Sequence, residues 1–91
     1  MPFSPILSES LKETLKKLSK KNSALTTAVN KKIKQICSCD DELIDHYKNL
    51  RNELSDYKRV HVEKSFVLLF NVDKQKKLVY FVKLAHHDTV Y

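Results

Sequence analysis

Apolar positions in the first third of the chain recur at helical spacing. Between Ser8 and Asn22 they are Leu11, Leu15 and Leu18, with Leu7 just before, while lysines at 12, 16, 17, 20 and 21 fill positions between them. Spacings of four, four and three trace one stripe along a helix. Ser8 supplies an N-cap hydroxyl, Glu9 stands at the positive helix start, and the lysines gather at its negative end. Asn22-Ser23 interrupts the pattern. A second stripe follows at Leu25, Ala28, Val29, Ile33, Ile36 and Cys37, opposite Lys31, Lys32, Lys34 and Gln35. Two amphipathic helices joined by a short polar turn make a helical hairpin. Each carries a single apolar stripe, so the pair must cover another layer.

The acidic stretch "CSCDDELIDHYKNLRNELSDY" has a weaker pattern, with Leu43 and Ile44 followed by Tyr47, Leu50 and Leu54, and predicts a short helix or an irregular connection. From Tyr57 the period falls to two or to unbroken apolar runs: "YKRVHV", "SFVLLFNV" and "KLVYFVKLA". The breaks at "EKS" and "DKQKK" have hairpin length, which predicts three antiparallel strands. "FVLLF" is apolar throughout and is expected to be central and covered on both faces. The chain has no glycine, so Asp73 opening a type I turn is the substitute for the usual hairpin residues. "FSPILS" adds a fourth strand ahead of the first helix, with Pro2 and Pro5 implying an edge. The fold class expected is α+β, an N-terminal helical hairpin packed on a small twisted antiparallel sheet of three to four strands.

Ninety-one residues amount to one domain, 1–91, too small for a deep internal cavity, so a functional site belongs on the surface or in a shallow groove. Charge is uneven: +6 over residues 1–37, −4 over 38–56 and +4 over 57–91. Such a surface suits a polyanion or an acidic protein partner. Two cysteines one residue apart give no disulfide framework and fit a reducing compartment. "MPFSPILSES" does not read as a secretory leader, and no stretch nears the ~18 apolar residues of a membrane span. The expectation is a soluble, cytoplasmic protein without a membrane role.

Cys37, Cys39, His46 and the His86-His87 pair could be gathered into a zinc ligand set. Structural zinc sites favour C-x2-C or H-x3-H spacing, and Cys37 already belongs to a helix stripe, so neither metal nor cofactor is expected. The helix lysines fit phosphate without sequence preference, although solvated helices carry lysines in any case. In "YKRVHV" alternation puts Lys58, Val60 and Val62 on one face and Arg59 and His61 on the other. Residues two apart on a strand lie about 6 to 7 Å apart, a spacing that suits neighbouring oxygens of one phosphodiester, or an ordinary solvent face. After the last strand come His86, His87 and Tyr91, expected beside the start of "YKRVHV". Histidine can exchange a proton near neutral pH, and a tyrosine can hold a phosphate oxygen or stack on a base.

The order "LSESLKETLKKLSKKN", "LTTAVNKKIKQI", then "YKRVHVEKSFVLLFNVD" and the ending "AHHDTVY" resembles the RelE/ParE toxin superfamily, in particular its RelE-like messenger-RNA interferases. The resemblance implies two helices against a twisted antiparallel sheet, and a toxin that cuts messenger RNA in the ribosomal A site. It implies 2′-hydroxyl attack on phosphorus without metal or small-molecule cofactor, and a cognate antitoxin, the ribosome and messenger RNA as partners. Position by position it gives Arg59 for transition-state charge, His61 as candidate base, His87 as general acid with His86 its near equal, and Tyr91 orienting the phosphate or stacking. Lys58, Lys64 and Lys83 become RNA contacts. Phe66 and Val67 fall where the family commonly has a Tyr-Arg pair, which implies either compensation by the histidines and lysines or a weak or inactive nuclease. Two alternatives stay open: a non-catalytic module binding RNA or an antitoxin-like helix, and a ParE-like gyrase poison, against which the paired histidines and terminal tyrosine argue.

Overall fold

Ser8 ends an extended segment and begins a helix, and its hydroxyl serves both. The oxygen accepts from Leu11 N at 3.0 Å as an N-cap, while the hydroxyl donates to the Val82 carbonyl at 2.7 Å, 74 residues away. The computed structural model describes residues 2–49 and 56–86. In chain order these form β1 (Ser4–Leu7), α1 (Glu9–Lys21), α2 (Ser23–Cys37), α3 (Asp41–Ile44), β2 (Lys58–Val62), β3 (Phe66–Asp73) and β4 (Leu78–His86). Asn22 alone separates the two long helices; its N–H donates to Leu18 O, and its side chain accepts from Leu25 N at 3.1 Å. One residue thus closes α1 and opens α2.

The strands form one four-stranded sheet in the order β1-β4-β3-β2. β2, β3 and β4 pair antiparallel through short turns, as the sequence pattern leads one to expect. β1 pairs with β4 in parallel, so the sheet is mixed. The cause is the connection: the helical hairpin intervenes after β1 and returns the chain to the sheet in a strand that continues in the same sense. β1 is the edge that its prolines imply. Ser4 N and Ser8 N donate to Lys77 O and Phe81 O, both at 2.9 Å, so alternate residues of β1 turn their backbone to β4 and Pro5 turns outward, where its missing N–H costs no ladder bond.

The helices cover one sheet face. Leu11 and Leu15 from α1, Leu25, Val29, Ile33, Ile36 and Cys37 from α2, and Ile44 from α3 meet Val62, Leu68, Phe70, Val79 and Phe81 from the strands, together with fully buried Phe3 just ahead of β1. Phe70 and Phe81 are cross-strand partners with ring centroids 5.8 Å apart, and Tyr47 lies edge-on to Phe70 at 5.5 Å. Truncating either phenylalanine to alanine would cost about 3–5 kcal/mol through lost burial and the cavity left behind.

Turns without glycine place other residues at left-handed backbone angles, Glu63 between β2 and β3 (φ 55°) and Lys77 between β3 and β4 (φ 56°). Asp73 Oδ1 accepts from Lys76 N at 3.0 Å and organises the second turn, as expected of that aspartate. Lys77 is held by an ion pair with Asp41 and lies 5.2 Å from the Phe3 ring centroid. Glu63→Gly is therefore expected to raise stability by about 0.5–1 kcal/mol, Lys77→Gly by less because contacts are lost with the strain, and Ser8→Ala to lower it by about 1–2 kcal/mol. Chemical denaturation midpoints check all three; a Ser8→Ala midpoint equal to the parent's would contradict the double role of that hydroxyl.

Candidate functional site

In β2, Val62 is buried and Val60 packs on the core, which turns Arg59 and His61 to the face away from the helices. The strand is anchored at this point by Arg59 N donating to Lys48 O at 3.0 Å. Register then decides what stands beside them. Arg59 is opposite Leu69, which is opposite Lys83; His61 is opposite Val67, which is opposite Ala85. Cross-strand partners share a face, so two rows cross the open side: Arg59, Leu69, Lys83 and His61, Val67, Ala85.

Lys83 reaches that face because of a bulge. Phe70 pairs with Phe81 and Leu69 pairs with Lys83, leaving Val82 as the extra residue in β4. Unbroken alternation from Val79 and Phe81 would send Lys83 into the core. The carbonyl of Val82 is the one that receives the Ser8 hydroxyl. Residue type alone points to Lys83, and a lysine on the core parity of "VYFVK" is the sequence signal of the bulge.

The remaining residues named from the sequence are dispersed. His86 pairs with Phe66 at the end of β4, on the helix side of the sheet, with the two rings edge-on at 5.6 Å, and does not share the face of Arg59 and His61. The end of β4 lies level with Val62, the last residue of β2, and not with the start of β2 as expected. Two antiparallel steps make β2 and β4 run the same way, so their C-terminal ends coincide. Lys58 lies on the helix side, and its ammonium donates to Tyr47 O at 3.1 Å and Asn49 Oδ1 at 2.9 Å, which ties the chain after α3 to β2. Lys64 is exposed in the β2–β3 turn. His87 and Tyr91 lie outside the described residues.

Val67 is fully buried although it faces away from the helices, and Ala85 beside it is 6% exposed. The middle of the sheet's C-terminal end is therefore apolar where a cation would serve phosphate chemistry. At the other end a shallow groove of about 610 Å³ is lined by residues including Asn49, Lys58, Asn71, Asp73, Gln75 and Tyr80. In that region Lys74 pairs with Asp45 at 2.6 Å and holds its carboxyl below the usual carboxylate range.

No protein-family profile matches the chain. A chain of Methanocaldococcus jannaschii assigned as toxin RelE4 is 52% identical over 64 residues, which are 67% of this chain and 68% of that relative. The chain belongs to the RelE family of toxin–antitoxin toxins. A Methanosarcina mazei protein of no stated function is 36% identical over 64 residues, 67% of this chain and 74% of its own. Solved structures share this RelE-family fold at low identity. The toxin–antitoxin complex RelBE2 of Mycobacterium tuberculosis gives a TM-score of 0.72 at 21% identity, covering 96% of this chain and 100% of that one. A metal-bound toxin of Helicobacter pylori gives 0.74 at 20%, covering 98% and 99%, and YafQ of Escherichia coli 0.71 at 16%, covering 98% of each.

Among the described residues of this RelE-family chain no group of three or more histidine, cysteine or acidic side chains is placed to hold a metal. Cys37 is buried in the core as the last residue of the α2 stripe, and burial, with Cys39 nearby adding to it, pushes its thiol from 9.0 up to about 11. Cys39 is half-exposed, its Sγ 3.4 Å from Gln35 O. A folded pKa above the unfolded one contributes stability that is complete below pH 9 and is lost as pH climbs through about 11. The parent is expected to lose stability across that window relative to Cys37→Val. At pH 8 an alkylating reagent should take Cys39 first and Cys37 only at the rate of unfolding. Equal labelling rates would contradict the packing of α2 on the sheet.

Proposed function

We propose that this toxin is a ribosome-dependent endoribonuclease that cleaves messenger RNA in the A site by 2′-hydroxyl attack, leaving a 2′,3′-cyclic phosphate and a 5′-hydroxyl. The observation that carries the reading is the gathering of Arg59, His61 and Lys83 on one open sheet face. In-line cleavage asks for a base near the 2′-oxygen, positive charge on the non-bridging oxygens and an acid at the departing 5′-oxygen. In this proposal His61 accepts the 2′-hydroxyl proton, Arg59 and Lys83 neutralise the phosphorane, His87 protonates the leaving oxygen, and Tyr91 orients the phosphate. His86, turned toward Phe66 and the helix side, is set aside as the acid. Lys64 is placed to meet RNA beyond the site, whereas Lys58 is given to holding the chain after α3.

The partner in this reading is a cognate antitoxin, supported by the family membership and by the solution of a chain of like fold in a toxin–antitoxin complex. An amphipathic antitoxin helix with acidic residues would suit the lysines of α1 and α2. The protein would act in the cytoplasm, where translating ribosomes are; among the described residues no helix is long and apolar enough to cross a membrane.

A second reading has its own support. Buried Val67 puts an aliphatic side chain between His61 and Ala85, and loss of a cation at such a position costs about 10²–10³ in rate in comparable sites, which favours a weak nuclease or an RNA-binding module. Purified protein added to ribosomes programmed with message separates the two. Cleavage is expected, abolished by His87→Ala or removal of Tyr91 and reduced by roughly 10²–10³ in Arg59→Ala, with folding intact. Unchanged cleavage in both C-terminal variants would overturn the site, and absence of cleavage by the parent would leave the binding module.

A further inference from the structure

The open face does not end at Arg59 and Lys83. Beyond their row lies a third, Asn71 on β3 opposite Tyr80 on β4, with Tyr80 in turn opposite Ile6 on β1. Ile6 is 42% exposed, one of the two large apolar side chains so open among the described residues, and Tyr80 and Asn71 are half-buried. Unlike Tyr47, which lies edge-on to Phe70, Tyr80 has no ring or cation contact among the described residues. It therefore presents a side of its ring next to an aliphatic neighbour, one row from two cations.

The spacing of the rows suits a single strand of nucleic acid. Asn71, Leu69 and Val67 are successive open-face positions of β3, so the three rows are about 7 Å apart, comparable to the step from one nucleotide to the next in an extended strand. Arg59 and Lys83 flank Leu69 at a Cα separation of about 10 Å, wide enough for a phosphate between them. An aromatic ring beside a basic row is the usual means of holding one unpaired base without reading its identity by hydrogen bonds alone. Asn71, Gln75 and Tyr80 also line the shallow groove, in company with Asp45, Asp56 and Asp73, so carboxylate and amide acceptors and donors stand beside the ring for the polar edge of a base. Asn71 is itself steadied by donating to Asp56 O at 3.0 Å.

We propose that Tyr80, with Ile6 and Asn71 beside it, is a base-stacking subsite for single-stranded RNA, taking the second nucleotide from the His61 row. The proposal rests on the endoribonuclease reading only for the name of the RNA and the direction of the cut. It makes Tyr80 a specificity-determining residue: the phosphate row binds every sequence alike, whereas the ring favours the bases that stack best.

The test uses a labelled short RNA whose 2′-hydroxyls are methylated, so that binding is read by fluorescence anisotropy without cleavage. Tyr80→Ala is expected to weaken binding about tenfold or more while leaving the salt dependence unchanged, and Tyr80→Phe, which keeps the ring, to bind as the parent does. Lys83→Ala should instead lower the slope of log affinity against log salt by about 0.7. Tyr80→Leu serves if the alanine variant unfolds. The proposal is overturned if Tyr80→Ala and Tyr80→Leu bind as tightly as the parent, if Tyr80→Phe loses as much as they do, or if the parent does not bind the RNA. A parent that binds this RNA yet leaves message on programmed ribosomes uncut would refute the nuclease reading and leave this subsite standing.

Discussion

The hydrogen bond from the Ser8 hydroxyl to the Val82 carbonyl joins the first helix to the one irregular point between the two central strands. A bulged residue leaves a ladder group unpaired, and a carbonyl so exposed must find another donor or stay costly. Ser8 supplies that donor while its oxygen caps α1. The same two atoms therefore fix where the helix begins, where β1 ends, and where β4 changes parity. Everything on the open face of the sheet depends on the last of these, because a residue's face is decided by register alone.

With the bulge in place, a small basic protein acquires a sheet with two unlike sides. One side is filled by the phenylalanines and the helix stripes. The other carries Arg59, His61 and Lys83 over a partly apolar floor formed by Leu69 and Val67. Arg59 is half-buried on this floor, whereas all but one of the helix lysines are exposed, so its charge acts more strongly on a phosphate held there. The helix lysines supply a general field, and the sheet supplies position. Basic residues are about as frequent after Tyr57 as in the helices, but strand geometry places Arg59 and Lys83 at a fixed separation.

Much of this was legible in the sequence because periodicity reports burial. The two stripes of α1 and α2, the Ser8 cap, the Pro5 edge and the alternation of "YKRVHV" each follow from one local rule, and each recurs in the structure. Three things did not follow. The parallel pairing of β1 is a property of the connection and leaves no trace in the four residues of the strand. The bulge at Val82 is written only in the awkward parity of Lys83 relative to Phe81. The relation of His86 to β2 needed the strand order, since two hairpins carry the chain back to its first direction and bring like ends together. Within the site, Arg59, His61 and Lys83 were named from their types and meet on one face. His86, by the same criteria, falls on the other, because type alone does not carry a side.

The central claim is that β4 crosses β3 with one residue of offset between its halves. Cross-strand nuclear Overhauser effects in the isotopically labelled protein test it directly. The account predicts contacts of Leu69 with Lys83 and of Val67 with Ala85 beside those of Phe70 with Phe81. Contacts of Leu68 with Lys83 and of Val67 with Leu84 would mean an unbroken ladder, a lysine on the helix side, and no basic face of the kind described.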